Sequence, residues 1–149
     1  MLKNYTSGIA VERSVAMIEQ LLAARGATKI MKTYDAKGLP IGMLFSIPIG
    51  GQEVHFRLPS RIENCRTILE RSLSPRARPE TKKNLLNQAG RTAWKILFDW
   101  CEAQMAMIDL AQVDVCEVFM AYLYDAAQDK TLFDHMKERG FKAMIGDGK

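Results

Sequence analysis

Eight basic side chains lie close together in the middle of the sequence, and the chemistry they suggest is phosphate binding. They are Arg57, Arg61, Arg66, Arg71, Arg76, Arg78, Lys82 and Lys83. Three acids lie among them, so residues 57–83 carry a net charge of +5, against +4 for the whole chain. Arginine presents a planar fork of donors that matches phosphate oxygens. The segment therefore predicts contacts with nucleic acid. A solvated surface without a ligand and an acidic protein partner are the alternatives.

Negative charge is concentrated later in the chain. Residues 99–134 contain eight acids and one base, a net charge of −7. Such a distribution argues against a nonspecific polycation. The opposite charges of the two segments also suggest head-to-tail self-association as a homo-oligomer.

The strand predicted around residue 55 offers a second group of contacts. His55 and Arg57 alternate with apolar residues and point to the same outward face. Sheets that bind single strands place aromatic rings beside basic residues. Because Tyr34 is the only other candidate ring, contact with the phosphate backbone is favoured over base stacking. His55 and Lys32 are therefore predicted as secondary contacts.

Catalytic and metal-binding patterns are weak. Asp99 and Glu102 lie one helical turn apart and suggest an acid–base or metal pair. Lys95 precedes Asp99 by one turn, which favours an ion pair on a solvated stripe instead. His55 and His135 have no partners at zinc-ligand spacing, and no phosphate-binding glycine loop is present. No cofactor, no metal and no enzymatic activity are expected.

Composition is that of an ordinary globular protein. Apolar residues make up 48% of the chain and charged residues 26%. No apolar run approaches the ~20 residues that a transmembrane helix needs, so no membrane partner is expected. The three cysteines, an odd number, are dispersed in apolar contexts, which predicts reduced thiols and a cytoplasmic protein.

One helix is expected to organise the fold. Residues 80–112 contain no proline, and their apolar side chains cover most of the helical circumference, so other elements must surround this helix. Trp94, Phe98 and Trp100 lie on it and are expected in the core rather than in a ligand site. Gln88 and Gln104 interrupt the apolar surface, either to satisfy buried groups or at a self-association seam.

The remaining elements follow from periodicity and turn residues. A first helix capped by Thr6 or Ser7 runs to Arg25, and a second, opened by a capping box of Ser60 and Glu63, covers 61–73. Strands at 28–34, 41–49 and 53–58 form an antiparallel meander, with Gly50-Gly51 as its second turn. Residues 74–79 form a basic connector. Helices at 115–123 and 131–139 follow the central helix.

This order predicts an α+β fold: an N-terminal helix, a three-stranded antiparallel meander, and a mostly helical C-terminal half built on the long helix. The chain is expected to form a single domain, 1–149. Its parts are a helix–meander–helix unit at 7–73, the connector at 74–79 and a helical part at 80–145.

Several segments resemble a family of uncharacterised phage and prophage proteins. They are GATKIM at 26–31, VHFRLP at 54–59, RTAWKI at 91–96 and DWCEAQ at 99–104. The resemblance covers roughly residues 10–124 and implies a phage-type genomic setting in a bacterial host cell, where nucleic-acid transactions and counter-defence are common tasks. Residues 7–73 are also similar in order to double-stranded-RNA-binding domains and to the cores of single-strand annealing proteins, although topology does not determine function.

The sequence thus predicts a non-catalytic, phage-type nucleic-acid-binding protein in the bacterial cytoplasm, with DNA favoured over RNA. The alternative is a protein-interaction module, such as an inhibitor of a host defence enzyme.

Overall fold

The computed structural model describes residues 7–146, except for the side chains of Lys83 and Ala143. Its elements are α1 (Val11–Ala24), β1 (Lys29–Tyr34), β2 (Pro40–Ile49), β3 (Gln52–Pro59), α2 (Ile62–Arg71), α3 (Pro79–Lys83), α4 (Leu85–Asp109), α5 (Val115–Phe119), a 3-10 turn (Met120–Tyr122), β4 (Tyr124–Asp125), β5 (Lys130–Thr131), α6 (Leu132–Glu138) and α7 (Lys142–Ile145). The predicted α+β fold, with its meander and long central helix, is confirmed.

The sheet is antiparallel with strand order β1-β2-β3. The β2–β3 turn is Gly50-Gly51, whose φ angles of 59° and 81° require the left-handed freedom of glycine. Alternation puts Met43, Phe45 and Phe56 on one face, where each is buried. That face packs on the helices and forms one side of the core.

Helix α4 lies against both α1 and α2, as its broad apolar surface predicts. Trp94 is fully buried, and its indole N–H donates to the carbonyl of Pro40 at 2.8 Å. Phe98 is buried and Trp100 is half-buried against the ring of Phe119. The prediction that these rings belong to the core is confirmed, and Gln88 is satisfied by donating to the carbonyl of Ser7.

Two predicted helix caps are wrong. Helix α1 begins at Val11 after Ala10, without a side-chain cap, because the Ser7 hydroxyl accepts from Ile9 N–H instead; Thr6 lies outside the described residues. Helix α2 has Arg61 at its N-cap, without a side-chain cap, and the Ser60 hydroxyl donates to the carbonyl of Ile41 at 2.8 Å. Ser60 therefore lies one position before the N-cap and fastens the end of β3 to β2.

The central helix is shorter than predicted. Pro79 begins the separate short helix α3 rather than ending the connector, and a turn at Asn84 separates α3 from α4. Helix α4 ends at Asp109, followed by Ala111 at a φ of 57°. Residues 80–112 thus span most of the short polar helix α3, the apolar helix α4 and the turn that follows it.

The C-terminal part has helical elements close to the predicted 115–123 and 131–139, and between them a short β hairpin that was not predicted. The expected loop at 126–130 is mostly the turn of the β4–β5 hairpin, and Leu123 bridges to Phe56 at the edge of β3. Capping boxes at Asp114 and Thr131 open α5 and α6. The hairpin and α6 are thereby placed beside the outer part of the sheet, where they complete the site described next.

Candidate nucleic-acid interface

A cleft of about 540 Å³ lies where one end of the sheet meets the start of α2 and the C-terminal segment. Thr33 and Gly42 line it from β1 and β2, and Arg57 lines it from β3. Arg61 lies at the start of α2, and α6 contributes Phe133 and Asp134. Residues from both halves of the chain therefore line the cleft. Two of the eight predicted basic residues, Arg57 and Arg61, thus meet in one cleft.

Arg57 is held in place by the C-terminal segment. Its Nη1 donates to Asp129 Oδ1 at 2.6 Å, and its Nη2 lies 3.5 Å from Asp134 Oδ2. Its guanidinium also lies over the ring of Tyr124, 4.9 Å from the centroid. The pKa of Asp129 is lowered by the hydrogen bond from the Tyr124 hydroxyl and by the charge of Arg57. Arg57 is therefore oriented, and its nearest anion is an exposed carboxylate.

Arg61 is exposed and has an unusual backbone conformation. Its φ of 57° is in the left-handed region, which non-glycine residues seldom adopt. The neighbouring Ser60 is fastened to Ile41 through both its N–H and its hydroxyl, which fixes the end of β3 and forces the turn at Arg61. Asp134 has a lowered pKa, chiefly through the backbone N–H of Thr131, with smaller contributions from Arg57 and Arg61. Both arginines therefore interact electrostatically with the same carboxylate, that of Asp134.

Two further predicted contacts, Arg66 and Lys32, form ion pairs within the protein. Arg66 pairs with Glu63 at 2.9 Å and with Glu70 at 3.3 Å, and hydrogen bonding to Glu63 raises its pKa. Lys32 points to the helical side of the sheet. It pairs with Glu19 of α1 at 3.0 Å, and that hydrogen bond raises its pKa.

His55 does lie on the outer face, as predicted, and its Nδ1 is hydrogen-bonded to the Ser46 hydroxyl at 2.8 Å. It keeps one ring nitrogen for another partner. Its position beside Met31 and Leu44 makes it part of an outer-face groove.

The other cations follow the far end of α2. Arg71, Arg76, Arg78 and Lys82 are all exposed, on the last turn of α2, the connector and α3. The side chain of Lys83 lies outside the described residues. On a helix of 3.6 residues per turn, Arg66 and Arg71 are separated by about 140° around the axis. The basic segment is thus not one continuous stripe: it divides into the cleft pair and the exposed cations around the connector.

A separate groove lies on the outer face of the same strands. It has a volume of about 260 Å³ and lies between Met31, Leu44 and His55 of the sheet and Tyr124 of β4. Lys29 lies at its margin and pairs with Glu53 at 3.0 Å. Lys29, rather than Lys32, is therefore the lysine of β1 on this face.

A separate apolar groove of about 320 Å³ lies between α2 and α4. Ile68, which is 47% exposed, contributes from α2, and Ile96, Leu97 and Trp100 contribute from α4. Arg61 lies at its margin and so borders both cavities. Apolar surface of this kind suits a protein side chain better than a phosphate.

The two acids of the candidate pair on α4 have different surroundings. Lys95 forms an ion pair with Asp99, as predicted, and lies over the ring of Phe98 at 5.0 Å, while Glu102 is exposed. In residues 7–146, no three His, Cys, Asp or Glu side chains form a group that could hold a metal ion. Burial raises the pKa of the Cys101 thiol to about 12, which makes it unreactive near neutral pH.

The sequence missed the residues that hold Arg57. Asp129, Asp134 and Tyr124 are 67 or more positions away from it, and no local pattern indicates a contact over that separation. The capping pattern after Thr131 does predict where α6 begins, but it does not predict what α6 lies against.

None of the described helices is long and apolar enough to cross a membrane. Comparisons of the chain with protein-family models, with curated proteins and with solved structures find no match.

Proposed function

We propose that this chain is a non-catalytic nucleic-acid-binding protein of the phage type, which contacts phosphates through its basic residues. The observation that supports the proposal best is the convergence of Arg57 and Arg61 on one cleft. Exposed cations continue from the end of α2 through the connector. DNA is the partner to test before RNA.

The cleft pair suits an anion because each arginine contributes differently. Arg61 is exposed and presents its fork to solvent, where phosphate contacts cost little desolvation. Arg57 is already oriented by Asp129, whose side chain is 77% exposed. A phosphate oxygen can replace that carboxylate without rearrangement of the arginine. Arg66 is a poorer contact, since Glu63 and Glu70 already neutralise it.

The salt dependence of binding measures how many phosphate contacts the exposed cations make. A phosphate contact releases counterions, so affinity for duplex DNA falls with salt at a log–log slope of about −0.9 per contact. Fluorescence anisotropy of labelled oligonucleotides, titrated with protein at several salt concentrations, measures this slope.

Arg71→Glu is the first variant to test. We expect weaker binding to every sequence and a salt slope reduced by about one unit, because one phosphate contact is removed. Arg13→Glu is the matched control, since Arg13 is an exposed arginine of α1, outside the basic segment. Equal effects of the two reversals would show that net charge alone, and not this surface, governs binding. No binding by the wild-type protein at low salt would refute the proposal.

The second candidate is a protein-interaction module, such as an inhibitor of a host defence enzyme. The apolar groove between α2 and α4 favours it, because Ile68 is half-exposed beside three further apolar side chains. A pulldown from host lysate with wild-type protein and with Ile68→Asp separates the two functions. A captured enzyme that is lost with Ile68→Asp but retained with Arg71→Glu would favour this candidate. Self-association through the oppositely charged segments belongs to the same class of hypotheses.

A further inference from the structure

Aromatic rings reach the outer side of the sheet from the C-terminal segment, although the meander itself supplies almost none. Phe133 of α6 lines the cleft and is 42% exposed. Tyr124 of β4 lines the outer-face groove. Tyr34 does not join them, because it interacts with Lys32 on the helical side of β1. The tertiary fold therefore supplies the rings that a stacking surface needs.

The cleft and the groove are lined by different outward residues of the same strands. Met31 and Thr33 lie two positions apart on the outer face of β1. Thr33 lines the cleft and Met31 lines the groove. On β3, Arg57 lines the cleft and His55 lines the groove. Because the strands are continuous, the two cavities lie in series along one face.

Concavity determines which form of nucleic acid fits this face. The bases of a duplex are stacked and paired, so its outer surface presents a rigid convex backbone. An unpaired base can leave the stack and lie on an aromatic ring inside a cavity. A cleft of about 540 Å³ is within the usual size range of small-molecule sites. Two arginines at its wall are placed for the phosphates that flank such a base.

We propose that the cleft and the outer face of the sheet bind single-stranded nucleic acid, with an unpaired base against Phe133 and adjacent phosphates on Arg57 and Arg61. This proposal rests on the proposed function and specifies its substrate class. The exposed cations beyond α2 then add sequence-independent affinity for phosphates.

The test compares Phe133→Ala with the wild-type protein on three labelled probes of one length: a single strand, its blunt duplex and a single strand with abasic sites. We expect the wild-type protein to prefer the intact single strand. We expect Phe133→Ala to weaken that binding by about 5- to 150-fold, the range for loss of one base–aromatic contact. Its binding to the abasic strand and to the duplex stays unchanged.

Phe141→Ala is the matched control. Its ring is 39% exposed and packs 6.2 Å from Phe133, but it does not line the cleft. Phe133→Leu is a second variant, which retains apolar volume but lacks a ring. Thermal unfolding verifies that each variant is folded, which is expected because both rings are half-exposed.

The possible outcomes distinguish the single-strand proposal from the proposed function. A wild-type preference for the single strand that Phe133→Ala selectively removes supports the proposal. Equal affinity for single strand and duplex, or no effect of Phe133→Ala, overturns it and leaves nucleic-acid binding through the basic surface intact. Absence of binding to all three probes at low salt overturns both proposals together.

Discussion

At the scale of single residues, Arg57 determines how the cleft presents its charge. It contacts Asp129, Asp134 and Tyr124, all from the segment that follows the long helix. An exposed carboxylate on an arginine fork occupies the same donors that a phosphate would use. Asp129 is therefore an intramolecular competitor of the proposed ligand.

Removal of that competitor should strengthen binding. With Asp129→Asn, the Arg57 fork loses its charged partner, and we expect affinity for oligonucleotides to rise by up to about fivefold, the range for an exposed ion pair. Glu102→Gln, on the exposed stripe of α4, removes the same charge away from the cleft and serves as the control. Anisotropy titrations at low salt measure both. An equal increase in the two variants would assign the effect to net charge.

At the scale of elements, glycine has opposite roles at two positions. Gly90 lies inside α4 with an ordinary backbone, and a Cβ there would meet Val11 and Leu39 at 3.4 and 3.5 Å, in van der Waals contact. Gly51 lies in the β2–β3 turn at a φ of 81°, where a side chain is strained. The same substitution should therefore act in opposite directions.

Gly90→Ala is expected to raise the free energy of unfolding by about 0.5–1 kcal/mol, because alanine favours the helix and restricts the unfolded chain. Gly51→Ala is expected to lower it by about 1–2 kcal/mol, the cost of a left-handed conformation. Urea denaturation followed by circular dichroism measures both changes. A destabilised Gly90→Ala would show that the contacts with Val11 and Leu39 cannot relax.

At the scale of the whole molecule, the meander and the C-terminal segment share one core. Phe119 is fully buried and packs its ring 5.1 Å from Phe45 and 5.9 Å from Phe56. Trp100 of α4 contacts the same ring at 5.8 Å. One contiguous cluster of buried residues extends from α1 to α5. The two sequence halves are thus expected to unfold together.

Phe119→Ala tests this expectation. Removing a ring that three elements share should lower the free energy of unfolding by about 3–5 kcal/mol, through lost burial and the cavity left behind. Tryptophan fluorescence reports on α4, and far-UV circular dichroism reports on the whole chain. Coincident transitions in both proteins are expected for a single cooperative unit, whereas separated transitions would reveal two domains.

The sequence alone determined the elements whose residues interact locally. Alternation in β3, the Gly50-Gly51 turn and the broad apolar surface of α4 each depend on neighbours within a few positions, so the meander and the buried Trp94 were predictable. The concentration of positive charge at 57–83 is likewise a property of the chain order itself.

Only the tertiary structure decided how those charges are used. It paired Arg66 with its own helix neighbours, turned Lys32 toward Glu19, and brought Arg57 and Arg61 to one cleft. It also placed Phe133 opposite a sheet whose strands end more than seventy positions earlier. The physical reason is that a side chain's partner across the fold is selected by the packing of whole elements, and no local pattern records that choice.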